Sequence, residues 1–262
     1  PNVNNTTTTT YTFTPNAVAH ACAVTTTMTV QVMPLPVVTA VPAEICAGQS
    51  ATISASGGSF YLWSTGQTDP SITVIPGITT SYSVTVSSEG CSSVASATVT
   101  VHPLPVPAIV RSADVICAGA SATLTASGGN TYVWSTGEQT PSIAVSPTST
   151  VLYSVTVADQ RGCAASTSTS IQVNTLPTVV ISAENLGCYG EPRGSLVIEQ
   201  ISGGLPPYSY AIGNVPLRSA GTLPATAAAN LAPGTYQLRV QDNGNCLNAI
   251  IFVIPEVQQL QL

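Results

Sequence analysis

Ile45-Cys46-Ala47-Gly48 returns 71 residues further on as Ile116-Cys117-Ala118-Gly119, and the rest of the segment follows at the same shift. Ala55-Ser56-Gly57-Gly58 becomes Ala126-Ser127-Gly128-Gly129, and Trp63-Ser64-Thr65-Gly66 becomes Trp134-Ser135-Thr136-Gly137. Tyr82-Ser83-Val84-Thr85-Val86 becomes Tyr153-Ser154-Val155-Thr156-Val157, and Cys91 matches Cys163 after one inserted residue. A fixed period of this size means that each copy is one small structural unit, so the chain must be a string of such units. Proline joints punctuate it at Pro34-Leu35-Pro36, Pro103-Leu104-Pro105 and Thr175-Leu176-Pro177, each beginning twelve residues after Cys22, Cys91 or Cys163. The expected borders are therefore 1–35 for the C-terminal half of a unit, 36–104 and 105–176 for two full units, and 177–262 for a different module.

Within a unit the apolar period is two. Ala51, Ile53 and Ala55 alternate with Thr52, Ser54 and Ser56, and Tyr82, Val84 and Val86 alternate with Ser83 and Thr85. One face packs while the other meets water, which is the habit of antiparallel strands. Gly57-Gly58, Thr65-Gly66, Pro76-Gly77 and Glu89-Gly90 separate the strands at spacings typical of a sandwich. The expected fold class is all-β, with tandem immunoglobulin-like β-sandwich domains in an extended array. Trp63, Trp134, Tyr82 and Tyr153 are its candidate core anchors, because they recur at equivalent points of an apolar alternation.

Charge excludes several partners. Only 6% of residues are charged, the five cations are the isolated Arg111, Arg161, Arg193, Arg218 and Arg239, and the net charge is −6. Binding nucleic acid requires clustered cations that displace counterions, and an anionic membrane surface makes the same demand. No apolar run nears the length of a spanning helix, since Ala249–Ile254 ends at Pro255. The seven cysteines, Cys22, Cys46, Cys91, Cys117, Cys163, Cys188 and Cys246, contain no C-x-x-C pair, and His20 and His102 are the only imidazoles. Zinc spacing is missing, and widely spaced cysteines in small β units point to an oxidising compartment.

Catalytic patterns are missing from the residues as well. A nucleophile needs a base in reach, yet His102 is replaced by Met33 and Asn174 at the equivalent positions before the other joints, and His20 lies in a turn. Gly-x-Ser-x-Gly and phosphate-loop patterns do not occur, and without lysine there is no Schiff base. Glu44, Asp69, Glu89, Asp114, Glu138 and Asp159 are scattered beside turns, so a glycosidase pair is not indicated. Calcium is the alternative to having no cofactor, and Asp242-Asn243-Gly244-Asn245 is its nearest approach, although Asn-Gly before a cysteine reads first as a hairpin turn. The expectation is a protein that is not an enzyme.

The Cys-Ala-Gly, Trp-Ser-Thr-Gly, Tyr-Ser-Val-Thr-Val, Gly-Cys and Pro-Leu-Pro pattern over residues 1 to about 178 resembles the Ig-like repeats of giant surface and secreted proteins of Bacteroidetes. Such proteins are typically exported by the type IX system. Cys188, Gly190, Gly194-Ser195-Leu196, Gly203-Gly204, Pro207-Tyr208, Leu231, Gly234-Thr235-Tyr236, Val240, Asp242 and Cys246 resemble the repeat of SprB-type gliding adhesins. The resemblance implies an extracellular, cell-surface location and a role as stalk, filament or adhesin, with sorting and anchoring signals outside these residues. Neighbouring repeats of the same polypeptide would be its first partners, and surface polysaccharide or other cells its targets. A carbohydrate-binding or accessory module of a secreted hydrolase is the alternative. It would need several exposed rings on one face, whereas burial accounts for Tyr61, Trp63, Tyr132 and Trp134, and Tyr189 is single.

Two expectations concern the cysteines and the first residues. Disulfides should close within units, joining Cys46 to Cys91, Cys117 to Cys163 and Cys188 to Cys246, with each bond tying two ends of one pole. Cys22 is left unpaired, in a half unit where Tyr11, Val30 and Val32 present apolar strand faces. Either the missing half lies upstream in a longer polypeptide, or a neighbouring molecule donates strands to build a filament. The phase of the repeat across residues 1–36 favours the first, and Glu256–Leu262 is too short to be the donor.

Overall fold

The computed structural model describes residues 7–14, 24–185 and 194–256, and the chain divides into two compact units, 1–104 and 105–262. Every regular element among the described residues is a strand. In the first unit β1 (Thr9–Phe13) and β2 (Thr26–Val30) form an antiparallel ribbon of β-branched residues, with Thr10 opposite Thr29. Tyr11, Val30 and Val32 are half-buried there, and Phe13 and Met28 are exposed.

The rest of the first unit is a two-sheet sandwich. Its strands are β3 (Thr39–Ala40), β4 (Ala43–Cys46), β5 (Ala51–Ser56), β6 (Phe60–Trp63), β7 (Ser71–Val74), β8 (Thr80–Ser88) and β9 (Cys91–His102). One sheet runs β3-β5-β7 and the other β4-β9-β8-β6. The first strand passes between them at Pro42, and the second copy makes the same crossing at Ala113. Val41 N–H donates to the Ser54 carbonyl at 3.1 Å; Pro42 has no N–H to extend that ladder, and the chain then crosses to the facing sheet and runs parallel to β9. Ala51, Ile53 and Ala55 then meet Trp63, Val84, Val86, Ala97 and Val99 across the interior. Burying each larger aliphatic side chain contributes about 1.5–3 kcal/mol before entropy is counted.

The Gly57-Gly58 pair answers to a close approach as well as to a turn. Gly57 has φ +113°, and a Cβ there would lie 2.1 Å from the Val37 carbonyl oxygen; one on Gly58 would lie 2.5 Å from Val86 Cγ1. The chain leaving the proline joint presses on this spot. Gly128 and Gly129 meet Val106 and Val157 in the same way in the second copy.

The second unit holds two sandwiches. The first has β10 (Ala108–Arg111), β11 (Val115–Cys117), β12 (Ala122–Ser127), β13 (Thr131–Trp134), β14 (Ser142–Val145), β15 (Val151–Ala158) and β16 (Ala164–Asn174). Its sheets, β10-β12-β14 and β11-β16-β15-β13, repeat the order above, including the parallel pairing of β11 with β16. The last sandwich has β17 (Thr178–Asn185), β18 (Gly194–Ser202), β19 (Ser209–Ile212), β20 (Arg218–Ser219), β21 (Ala225–Leu231), β22 (Gly234–Gln241) and β23 (Leu247–Ile254). They form β17-β18-β21 and β20-β19-β22-β23, and here β17 stays on one sheet along its whole length. Leu196, Ile198, Leu238, Val240 and Ile254 fill that core. The fold is thus all-β, built of tandem Ig-like β-sandwich domains.

Candidate functional site

The described cysteines stand at opposite ends of their sandwiches, which overturns the expected pairing within units. Cys46 lies across from His102, the last residue of β9, whereas Cys91 is the first residue of that strand. Twelve extended residues separate their ends by roughly 36 Å, while a disulfide holds its Cα atoms within about 7 Å. In the second copy Cys117 faces Asn174 at the end of β16, and Cys163 precedes its first residue, Ala164. The structure accordingly joins Cys117 to Cys246 in the next sandwich, with Cα atoms 5.4 Å apart. Cys117 therefore does not bond Cys163, and Cys246 does not bond Cys188. Cys91 is a free thiol, so the Cys46–Cys91 bond is not formed either. Cys46 and Cys163 are disulfide-bonded, and Cys22 and Cys188 lie outside the described residues.

The Cys117–Cys246 bond sits over the joint between the two sandwiches of the second unit. Ala118 N–H donates to the Asn174 carbonyl at 2.9 Å, holding the anterior cysteine at the last rung before the joint. Beyond it, Gly204 N–H donates to Thr175 Oγ1 at 3.0 Å and Asn248 Nδ2 donates to the Pro177 carbonyl at 2.9 Å. Cys246 is supplied by the β22–β23 hairpin and is fully buried.

That hairpin is organised by Asp242, the first residue of the expected turn and of the alternative calcium site. Asp242 is 4% exposed; its Oδ1 accepts from Cys246 N–H at 2.8 Å and its Oδ2 from Leu205 N–H at 2.8 Å. Both carboxylate oxygens thus serve backbone donors, and the hairpin reading of Asp242-Asn243-Gly244-Asn245 describes the structure. Asp159 does similar work at the β15–β16 hairpin, where Oδ1 accepts from Arg161 N–H at 2.8 Å and Cys163 N–H at 2.9 Å. The signal was available: an aspartate stands four residues before a cysteine in both module types. Among the described residues no group of three or more His, Cys, Asp or Glu side chains is placed to hold a metal ion.

Trp63 and Trp134 are 1% and 2% exposed, and each indole N–H donates at 2.9 Å to a loop carbonyl, of Asp69 and Thr140. Tyr153 is buried and Tyr82 packs half-buried against the core. Tyr61 and Tyr132 are half-buried, with hydroxyls donated to the Gly58 and Gly129 carbonyls. None of these rings forms an exposed platform. His102 ends β9 beside Glu44, with Nε2 and Oε2 3.1 Å apart. Arg111 is tied to Asp114 at 2.7 Å, so two more candidate charges are spent on surface pairing. No helix of the described residues is long and apolar enough to cross a membrane.

No protein-family model matches the chain, and no curated protein matches it. Solved structures of Ig-like chains do resemble it. Titin domains I67–I69, in an E-to-A mutated variant, align at 15% identity over 86% of this chain and 99% of that one, with a TM-score of 0.38. The N-terminal eight Ig domains of Down Syndrome Cell Adhesion Molecule align at 13% identity over 96% of this chain and 46% of that one, with a TM-score of 0.34. A structure of a 1.5-MDa bacterial ice-binding adhesin aligns at 14% identity, covering 85% and 98%, with a TM-score of 0.32. Likenesses this distant concern architecture and carry no argument about what the chain binds.

Proposed function

We propose that this chain is a non-catalytic segment of an extracellular bacterial surface protein, serving as stalk, filament or adhesin. The observation that supports it most is the Cys117–Cys246 bond, a covalent closure of the joint between two successive sandwiches. An isolated binding module gains nothing from such a bond. A serial structure does, because each joint is otherwise the place where domains swing freely. The proline joints act in the same direction, since proline fixes φ and stiffens a connector. Oxidised cysteines accord with export, and the resemblance to Bacteroidetes surface repeats and gliding-adhesin repeats supplies the cellular setting. In that setting the borders proposed for the modules remain 36–104, 105–176 and 177–262, with 1–35 completing a unit begun upstream.

The test is surface labelling of the source bacterium with an antibody raised against this chain. Decoration of intact, unpermeabilised cells, lost when the gene is deleted, is the expected result. Signal that appears only after permeabilisation would reject the proposal.

A further inference from the structure

Cys91 is the one described cysteine with no bond, and its surroundings indicate what should complete it. It opens the last strand of its sandwich, the station that Cys246 occupies in the final sandwich and Cys163 at the head of β16. Both of those cysteines are disulfide-bonded and buried, Cys163 at 1% exposure and Cys246 at 0%, whereas Cys91 is only half-buried. A partner inside its own sandwich is ruled out by the length of β9.

The second observation is the contact that the thiol makes. Cys91 Sγ lies 3.8 Å from the carbonyl oxygen of Met33. Met33 immediately precedes a proline joint, as His102 and Asn174 do. Those two residues are the register partners of the anterior cysteines, Cys46 opposite His102 and Cys117 opposite Asn174. The position across from Met33 is therefore where an anterior cysteine of the preceding unit would stand, and the free sulfur of Cys91 is already beside it.

We propose that the joint before the first sandwich is closed by the rule seen at Cys117–Cys246, in which the anterior cysteine of a unit bonds the hairpin cysteine of the next unit along the chain. By that rule Cys91 receives a cysteine of the preceding unit, about 45 residues N-terminal of Cys22, as Cys46 stands 45 residues before Cys91. The proposal rests on reading the chain as part of a longer exported array. Chemically, two thiols lose two protons and two electrons to form one S–S bond. A protein disulfide of the exporting compartment takes up both and becomes a dithiol.

Disulfide mapping of the native exported polypeptide tests the rule, with free thiols alkylated before a non-reducing digest. The expected result is Cys91 linked to an upstream peptide that aligns with Ile45-Cys46-Ala47-Gly48. In the 262-residue chain alone, Cys91 should instead be recovered alkylated while Cys246 is not. Cys91 alkylated in the native polypeptide, joined to Cys46, or joined to a second copy of the chain would overturn the rule. Failure of the surface reading has a different signature, because a protein kept in a reducing compartment would yield Cys117 and Cys246 alkylated too.

Discussion

The hairpins that end the first and the last sandwich bring a cysteine to the same station by different chemistry. Between β8 and β9 the chain turns in two residues, with Ser88 directly opposite Cys91 and both Glu89 (φ 50°) and Gly90 (φ 83°) left-handed. This is the type I′ geometry, whose twist matches the strands and which needs no support from elsewhere. Between β22 and β23 the turn hangs on Asp242, whose buried carboxylate also binds Leu205 N–H from another loop. The β15–β16 hairpin, with Asp159, belongs to the second type. Its cysteine is bonded, like that of the last hairpin, while the self-contained turn carries the free thiol. A carboxylate pin accompanies the two buried hairpin cysteines, Cys163 and Cys246, and is missing beside the half-buried Cys91.

The largest effect expected from this contrast comes from Cys117→Ser. The lost bond spans a sequence separation of 129, worth about 5 kcal/mol in the chain-entropy estimate. Chemical denaturation of the oxidised protein should show the second unit destabilised and the first unaltered, and equal midpoints for variant and parent would break the comparison. Asp242→Ala comes next. It strands the buried Cys246 N–H and the part-buried Leu205 N–H and should cost about 2–3 kcal/mol, whereas Asp159→Ala, at a half-buried site, should cost about 1 kcal/mol. If the two variants melt alike, burial is not what separates the hairpins.

A gain is expected in the first sandwich. Glu89→Asn gives the turn the Asn-Gly pair that type I′ prefers and should stabilise by about 0.5–1 kcal/mol, measurable as a raised thermal midpoint. The smallest effect is at Glu138, in a turn whose counterpart in the first copy is the neutral Gln67. The Thr136 side chain, then its own backbone N–H, hydrogen-bond to the Glu138 carboxyl and hold it below the ordinary carboxylate range, with desolvation opposing. A lowered folded pKa means stability that is present above the ordinary value and lost as pH falls through the folded one. Glu138→Gln should therefore flatten a slight loss of melting temperature between about pH 5 and pH 3, and an unchanged slope would show that the bond adds nothing.

What could be read from the residues was whatever depends on which side of a strand a side chain points to. Ala51, Ile53 and Ala55 announce an inward face by period alone, and Trp63 and Trp134 sit where that alternation places them. The disulfides depend on something else, namely which end of the sandwich each cysteine occupies. That follows from the crossing of the first strand between sheets and its parallel pairing, β4 with β9 and β11 with β16, a long-range contact that no local period encodes. Gly57-Gly58 was legible as a turn, but its tighter constraint, the Val37 carbonyl overhead, comes from a segment twenty residues away. The turns at Asp242 and Asp159 were legible, but not the backbone donors their carboxylates accept from, because the Leu205 N–H that Asp242 binds comes from a distant loop.

The Cys117–Cys246 bond also has a mechanical consequence. Pulled from its two ends, a polypeptide lengthens by as much backbone as it can release, and residues between two bonded sulfurs are bypassed by the force. The 129-residue interval, drawn straight, would reach roughly 430–460 Å at 3.3–3.6 Å per residue. With the bond intact its ends stay 5.4 Å apart at their Cα atoms whatever happens to the strands between. Ladders of either sandwich can then open and close again within a covalent loop, and the tether gives up almost none of that hidden length until the bond is reduced.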